Sequence, residues 1–395
     1  MNKELIIELR GVEFVNKGAE LMLRAIVAKI EEQFPNAIFV MENRIGLSPR
    51  QVLLKNNIYS KTNFKFKRYN KLHFFLDASY ITNFFSPSKR RSMKYVSEEE
   101  INVVIDGSGF AFGDQWGANY AAKVLTSHIE KWKSSNKTVI LLPQAFGPFE
   151  KIDLRNEMGK VVKNADLIYA RDPISYEYIK GLDEGNSRIR LSPDFTSLIK
   201  GIIPDYFDSS LHQVAVVPNN KMITSNNQEK ANAYLDLLVK SILYIQRKGF
   251  KPFFLIHEGK GDLALAEKIN KDLSIKIPII VDDNSLVIKG IIGACYAIIT
   301  ARFHGLVSAL SQGIPCLATG WSHKYEMLLS DYSYPEALID VNIGEPELES
   351  KIENILNIDS REAITQKLKD ASVKQKSLSI SMWNEVFDKL STIKN

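Results

Sequence analysis

Cysteine is nearly missing from this chain. Cys295 and Cys316 are the only two in 395 residues, and both lie in apolar surroundings. That excludes a disulfide framework and a cysteine-rich zinc site, and a reducing compartment is expected. Long apolar runs are missing too, since no window reaches the roughly 18 to 20 residues a spanning helix needs. The start, Met1-Asn2-Lys3-Glu4-Leu5-Ile6-Ile7-Glu8-Leu9-Arg10, reads as a charged lead-in to a short strand and not as a secretory signal. The expected location is the cytoplasm. Charge of one sign is scarce, with a net charge of only +5. Such an excess favours anionic substrates or an anionic surface without indicating a nucleic-acid binder, and no nucleic-acid partner is expected. HExxH, GxSxG, GxxxxGK[ST] and, after the first strand, GxGxxG spacing are all absent. Zinc peptidase, serine hydrolase, P-loop and dinucleotide readings fall with them, and neither a metal nor an organic cofactor is expected. No period of 20 to 50 residues recurs, so a solenoid is excluded.

What is present is the balance of an ordinary globular protein, 45% hydrophobic and 25% charged. The chain is too long for one core, and two domains are expected. Short apolar runs alternate with helical periodicity in two tandem blocks. In the first, strands are expected at Leu5–Leu9, Ile38–Met41, Ile101–Ile105, Thr138–Leu142, Ala165–Ala170 and Ile189–Leu191. In the second they are expected at Gln213–Val217, Lys251–Ile256, Ile277–Val281, Cys295–Ile299 and Cys316–Thr319. The pattern predicts an α/β protein of two Rossmann-like, doubly wound domains facing a cleft. The expected divisions are 1–203, 204–345 and a charged helical tail, 346–395.

The stretch Thr300-Ala301-Arg302-Phe303-His304-Gly305-Leu306 follows an apolar strand and opens an apolar helix. Arg302 offers a planar fork for phosphate or carboxylate, and His304 a group that can move a proton. The plainer reading is a salt bridge for Arg302 and a satisfied turn residue for His304. Other polar residues share the strand-end position. Asn16, Asp106, Gln144, Arg171 and Asp194 follow first-block strands, and His257, Arg302 and His304 follow second-block strands. In parallel sheets those ends face one side, so all are expected to aim into the cleft. Each has a plain alternative: Asp106 caps a turn, Gln144 bonds loop backbone, and Asp194 is an N-cap, as Asp172 is for its own helix. His257 and Glu258 with Asp262 read either as a metal pair or as a loop pairing. In Asp106-Gly107-Ser108-Gly109, the glycines permit close backbone approach to a ligand.

Residues 63–95 change character. Phe64-Lys65-Phe66-Lys67-Arg68-Tyr69 and Phe84-Phe85-Ser86-Pro87-Ser88-Lys89-Arg90-Arg91 interleave cations and aromatics. That composition suits peripheral contact with an anionic membrane; a solvated helix face is the alternative.

These pieces, in this order, resemble the polysaccharide pyruvyl transferase family from about Gly11 to Leu329. They are Asn16-Lys17-Gly18-Ala19-Glu20, Asp106-Gly107-Ser108-Gly109, Gln144 with Gly147-Pro148, Ala170-Arg171-Asp172, Ser192-Pro193-Asp194, Arg302-Phe303-His304-Gly305 and Trp321-Ser322-His323-Lys324-Tyr325. Ala19 stands where many members carry Asp. The resemblance implies a fold similar to B-type glycosyltransferases. It also implies transfer of pyruvate from phosphoenolpyruvate to two hydroxyls of a sugar, as a ketal, in exopolysaccharide or capsule synthesis. Phosphoenolpyruvate is then the donor substrate, and the acceptor is a sugar expected to be linked to a lipid diphosphate at the inner membrane face. Arg302, His304 and Arg171 are the implied catalytic residues. Arg302 would hold phosphate, Arg171 carboxylate, and His304 would move a proton or meet the leaving phosphate. Asp106 or Asp194 is the expected base. Asn16, Gly18, Asp106, Gly107, Gly109, Gln144, Asp194, His257, Glu258, Gly305 and Lys324 are expected on the substrate side. The rival readings are a nucleotide-sugar glycosyltransferase, using Glu258 and Trp321, and a non-catalytic sugar-binding protein.

Overall fold

Runs such as Val103-Val104-Ile105 and Ala297-Ile298-Ile299 are buried at every residue, as parallel strands covered on both faces must be. The computed structural model describes residues 4–44, 48–62, 82, 84–224, 227–320 and 322–394. Its strands are β1 (Ile6–Arg10), β2 (Ile38–Met41), β3 (Tyr59–Lys61), β4 (Tyr95–Val96), β5 (Val103–Asp106), β6 (Thr138–Gln144), β7 (Leu167–Ala170) and β8 (Ile189–Leu191). These eight form one sheet in the order β4-β3-β2-β1-β5-β6-β7-β8. The second sheet is built from β9 (Val214–Val217), β10 (Pro252–Ile256), β11 (Ile279–Val281), β12 (Ala297–Thr300) and β13 (Cys316–Ala318). Its order is β11-β10-β9-β12-β13. Every strand pairing in both sheets is parallel.

Both sheets are doubly wound, and each has a point where the chain reverses its direction of travel across the sheet. In the first that point lies between β1 and β5, and in the second between β9 and β12. The crevice outside the carboxyl ends of such a strand pair is where this class of sheet binds ligands. Two strands were not expected from the sequence. β3 and β4 are three and two residues long, too short to show a period.

Contacts divide the chain into two units. One holds Met1–Val15, Met22–Pro193 and Ser381–Asn395, and the other Asn16–Leu21 and Asp194–Ile380. The tail expected to stand apart at 346–395 is therefore shared. Leu348, Ile352 and Ile355 join the apolar core of the second unit. Farther along the same tail, Glu385 accepts from Tyr169 Oη at 2.7 Å, and Lys389 pairs with Asp166 at 3.3 Å, within the first unit. Among the described residues no helix is long and apolar enough to cross a membrane.

Of the basic-aromatic stretch 63–95, residues 63–81 and 83 lie outside the described residues. In the remainder, Arg90 Nε donates to Glu100 at 3.0 Å. Arg91 pairs with Glu4 at 2.8 Å and with Glu100 at 3.1 Å. These two guanidiniums, expected to meet lipid headgroups, are engaged within their own unit, because a run of glutamates follows them in sequence at Glu98–Glu100.

Candidate functional site

The expected site residues fall into two groups, one on each unit. The second unit carries the denser one. Glu258 is the N-cap of the helix Gly259–Asp272, and Asp262 lies in its first turn, where the helix dipole favours carboxylates. Backbone amides hold Asp262 from two sides: Asn220 N at 2.9 Å and Glu258 N at 3.2 Å. Arg302, N-cap of the helix Phe303–Leu310, reaches across from the end of β12. Its Nε donates to Asp262 Oδ2 at 2.9 Å, its Nη2 to Asp262 Oδ1, and its Nη1 to Glu258. Burial works against charge on Asp262 and on Arg302 alike. The two-pronged bond between them opposes both effects, so each keeps its charge.

Arg302 thus takes up the plainer of its two readings, a salt bridge. All three guanidinium nitrogens already face carboxylates. A phosphate at this fork would have to displace two anions, one of them fixed by backbone amides. The same geometry closes the metal reading of Glu258 and Asp262, since both turn toward Arg302.

Asn16 also differs from its expected place. It follows a strand of the first sheet, yet it groups with the second unit. Its Nδ2 donates to Glu258 Oε1 at 3.0 Å, while its Oδ1 receives Gly18 N at 3.0 Å and Ala19 N at 3.1 Å. It thus opens the helix Lys17–Gln33 and ties that start to Glu258. Lys17 Nζ bonds Glu20 at 2.9 Å and the Asp283 carbonyl at 2.7 Å. Gly18 is needed for close approach: a Cβ there would lie 2.3 Å from His304 Nδ1. Gly305 plays a similar part, its missing Cβ being 2.9 Å from Thr300 Oγ1.

His304 therefore lies against Gly18 on one side. On the other, its Nε2 stands 3.6 Å from Asp194 Oδ2. Asp194 is an N-cap as well: its Oδ1 accepts from Thr196 N at 3.0 Å and from Thr196 Oγ1 at 2.5 Å. The plain and the functional readings of Asp194 use different oxygens of one carboxylate. His257, buried at the end of β10, is held neutral. Burial pushes its pKa well below the usual value, and Arg302, His304 and Lys17 push the same way. Lys324 lies with its Nζ 5.0 Å over the Phe303 ring and 5.6 Å over Tyr325. Trp321 of the same motif lies outside the described residues.

Lys289 was not expected among these residues. It is buried in the helix Ser285–Ala294, and its Nζ donates to the Thr196 carbonyl at 2.7 Å, next to Asp194. Burial pushes its pKa down to about 7, partly offset by Asp194. The signal was available, as a lone lysine in Ser-Leu-Val-Ile-Lys-Gly-Ile-Ile-Gly-Ala.

The first unit carries the second group. Asp106 ends β5 and Gln144 ends β6, and both are fully buried. Asp106 Oδ1 accepts from Ser108 N at 3.0 Å and from Gln144 Nε2 at 3.2 Å, so Asp106 caps its turn, and Gln144 bonds that carboxylate instead of loop backbone. Asp106 Oδ2 and Gln144 Oε1 accept no hydrogen bond among the described residues. Gly107 is crowded by Ile26 and Val12, but Gly109 has only Met22 Sδ at 3.8 Å, so close approach explains the first glycine and not the second. Arg171 is buried just after β7, its amide donating to the Gln144 carbonyl at 3.0 Å. Asp172 caps the next helix, accepting from Ser175 N at 2.8 Å.

Two doubly wound parallel sheets with polar residues at their carboxyl ends are the arrangement of the B-type glycosyltransferase fold. Solved structures share that fold. A putative UDP-N-acetylglucosamine 2-epimerase from Listeria monocytogenes is 11% identical, with TM-score 0.57 and 97% of each chain covered. The Anabaena protein HepE, solved with UDP-glucose, is 10% identical, with TM-score 0.56, covering 98% of this chain and 100% of its own. A glycosyltransferase from Rickettsia africae is 13% identical, with TM-score 0.55 and 99% of each chain covered. A family model, polysaccharide pyruvyl transferase, matches residues 16–323. The chain belongs to that family.

Proposed function

We propose that this protein transfers pyruvate from phosphoenolpyruvate to two hydroxyls of a saccharide, forming a cyclic ketal and releasing phosphate. The observation that carries the reading is the pairing of His304 with Asp194 at 3.6 Å, in a chain of the pyruvyl transferase family. The reaction needs one group that can both take and give a proton. The first hydroxyl attacks the central carbon of the enol ester and loses its proton, while the methylene carbon gains one and becomes methyl. The second hydroxyl then displaces phosphate, and its proton leaves with the product phosphate. His304 relays the first proton, and Asp194 Oδ2 favours the ring while it carries that proton. Arg302 is a positioning residue: locked to Asp262 and Glu258, it fixes the turn that presents His304.

The test is phosphate release from phosphoenolpyruvate with a saccharide acceptor present. His304→Ala is expected to lower the rate by roughly 10²- to 10⁴-fold, with an unchanged unfolding midpoint. A rate near that of the unaltered protein would remove His304 from the chemistry.

A further inference from the structure

Trp116 and Tyr120 are two large aromatic side chains of the first unit that stand part-exposed next to each other. Trp132 and Trp383 in that unit are almost fully buried, whereas Trp116 is 44% and Tyr120 43% exposed. A single exposed ring is ordinary, whereas adjacent rings make an apolar patch that a partner can cover. Their centroids are 6.0 Å apart with 35° between the planes, so the two form one angled surface. Gly117 lies between them in sequence, with φ +75°, and a Cβ there would meet nothing within 4 Å. The space beside the backbone is open.

The turn that carries these rings is anchored from within its own unit. The helix Gly117–Ala121 runs directly into a π-helical segment, Ala122–Thr126, a feature that often marks functional sites. The carbonyl of Val124 in that segment receives Arg10 Nε at 3.1 Å and Nη2 at 2.6 Å. Arg10 is itself fixed by Glu8 at 2.7 Å. A surface held this way is ordered before anything binds, which lowers the cost of binding.

The polar neighbourhood narrows the occupant. Burial and the nearby Asp106 raise the pKa of Tyr120; Arg44 opposes this and Glu13 adds to it, which places two carboxylates and one guanidinium in range of the ring. Asp106 Oδ2 and Gln144 Oε1 still require donors. A phosphate-bearing ligand would meet repulsion from Asp106 and Glu13. A pyranose ring fits better. Its C–H face suits an aromatic ring, and its hydroxyls supply donors to carboxylates and, through ordered water, to buried acceptors.

We propose that Trp116 and Tyr120 form the platform on which a pyranose ring of the saccharide acceptor stacks. The proposal rests on the pyruvyl-transfer reading for its choice of ligand but not for its test. The test is equilibrium binding of a panel of methyl glycosides (gluco, galacto, manno and N-acetylgluco) in the absence of phosphoenolpyruvate, followed by tryptophan fluorescence and calorimetry. At least one glycoside is expected to bind. Trp116→Ala and Tyr120→Ala should each weaken it about 10-fold, and Trp116→Phe should keep most of the affinity. The unfolding midpoints of all three should match that of the unaltered protein. Binding that both alanine variants leave unmoved, or no binding by any glycoside, overturns the platform. Glycoside binding without phosphate release from phosphoenolpyruvate would sink the transfer reading and leave the platform standing. Transfer whose acceptor KM ignores Trp116→Ala would do the reverse.

Discussion

Each unit buries an arginine beside the carboxyl end of its sheet, and the two are satisfied in different ways. Arg10, the last residue of β1, has one carboxylate, Glu8, and one backbone carbonyl, that of Val124. Glu8 passes the charge on: Lys61 takes its other oxygen at 2.7 Å and also meets Glu98, which meets Lys137 at 2.5 Å. The first unit thus strings alternating charges along a ladder. Arg302 is instead capped by two carboxylates on one helix turn, Glu258 and Asp262. The lesson is that a buried cation at a strand end is not by itself a ligand site. The second unit differs in setting, beside its locked arginine, a histidine that lies against a glycine and 3.6 Å from one oxygen of a carboxylate already in use as a cap.

The strongest way to break this contrast is to unlock Arg302. Asp262→Ala leaves a buried guanidinium with Glu258 alone and leaves two amide donors without their acceptor. Stability is expected to fall by about 3–5 kcal/mol, read as a lower urea midpoint with unchanged slope, whereas His304→Ala should leave the midpoint in place. A loss below about 1 kcal/mol would mean that Arg302 is not locked, and would return it to the list of anion ligands.

The same contrast explains what the sequence could and could not tell. Strand ends were legible because apolar runs stop at polar residues, so Asp106, Gln144, Arg171, His257 and Arg302 were found by position. Partners were not legible. Arg302 and Asp262 are 40 residues apart, and nothing local says that a fork will close on a carboxylate before it meets phosphate. Asn16 was assigned to the wrong unit because sequence order places it after β1, while its amide bonds Glu258 at 3.0 Å. The platform of Trp116 and Tyr120 had no signal beyond two aromatics at helical spacing, a pattern that ordinary core helices share. What the structure adds is that the two rings are exposed side by side.

A second difference between the units is how they respond to base. Lys289 in the second unit faces Asp194, the Thr196 carbonyl and the more distant Lys376, and burial holds its pKa down at about 7. An unfolded lysine keeps its proton to about pH 10.4. Between those values the unfolded chain binds more protons than the folded one, so stability rises with pH. Below pH 7 the cost of burying the charge is fully present. Lys289→Met removes that slope. The stability difference between the unaltered protein and the variant should therefore shift in favour of the former by about 1 kcal/mol per unit from pH 7 to 10. A difference that stays constant across this range would show that Lys289 keeps its charge when folded.

The ladder of the first unit should answer to acid instead. Burial pushes the Glu98 carboxyl up, but Lys61 and Lys137 outweigh it and hold the pKa at about 2. The unfolded carboxyl titrates near 4.3. Glu98 thus contributes stability that is fully present above that value and is lost as pH falls toward 2. Its side chain is 20% exposed, and solvent screening trims the contribution to about 2 kcal/mol. Glu98→Gln should lower stability at pH 7 by that amount and flatten the acid limb of the stability curve below pH 4.5. It should leave the basic limb between pH 7 and 10 untouched, because Lys289 lies in the other unit and Lys61, whose pKa Glu98 raises, responds only at higher pH. If Glu98→Gln moved the basic limb, or left the acid limb as steep as before, the two charge systems could not be the separate ones that their hydrogen bonds describe.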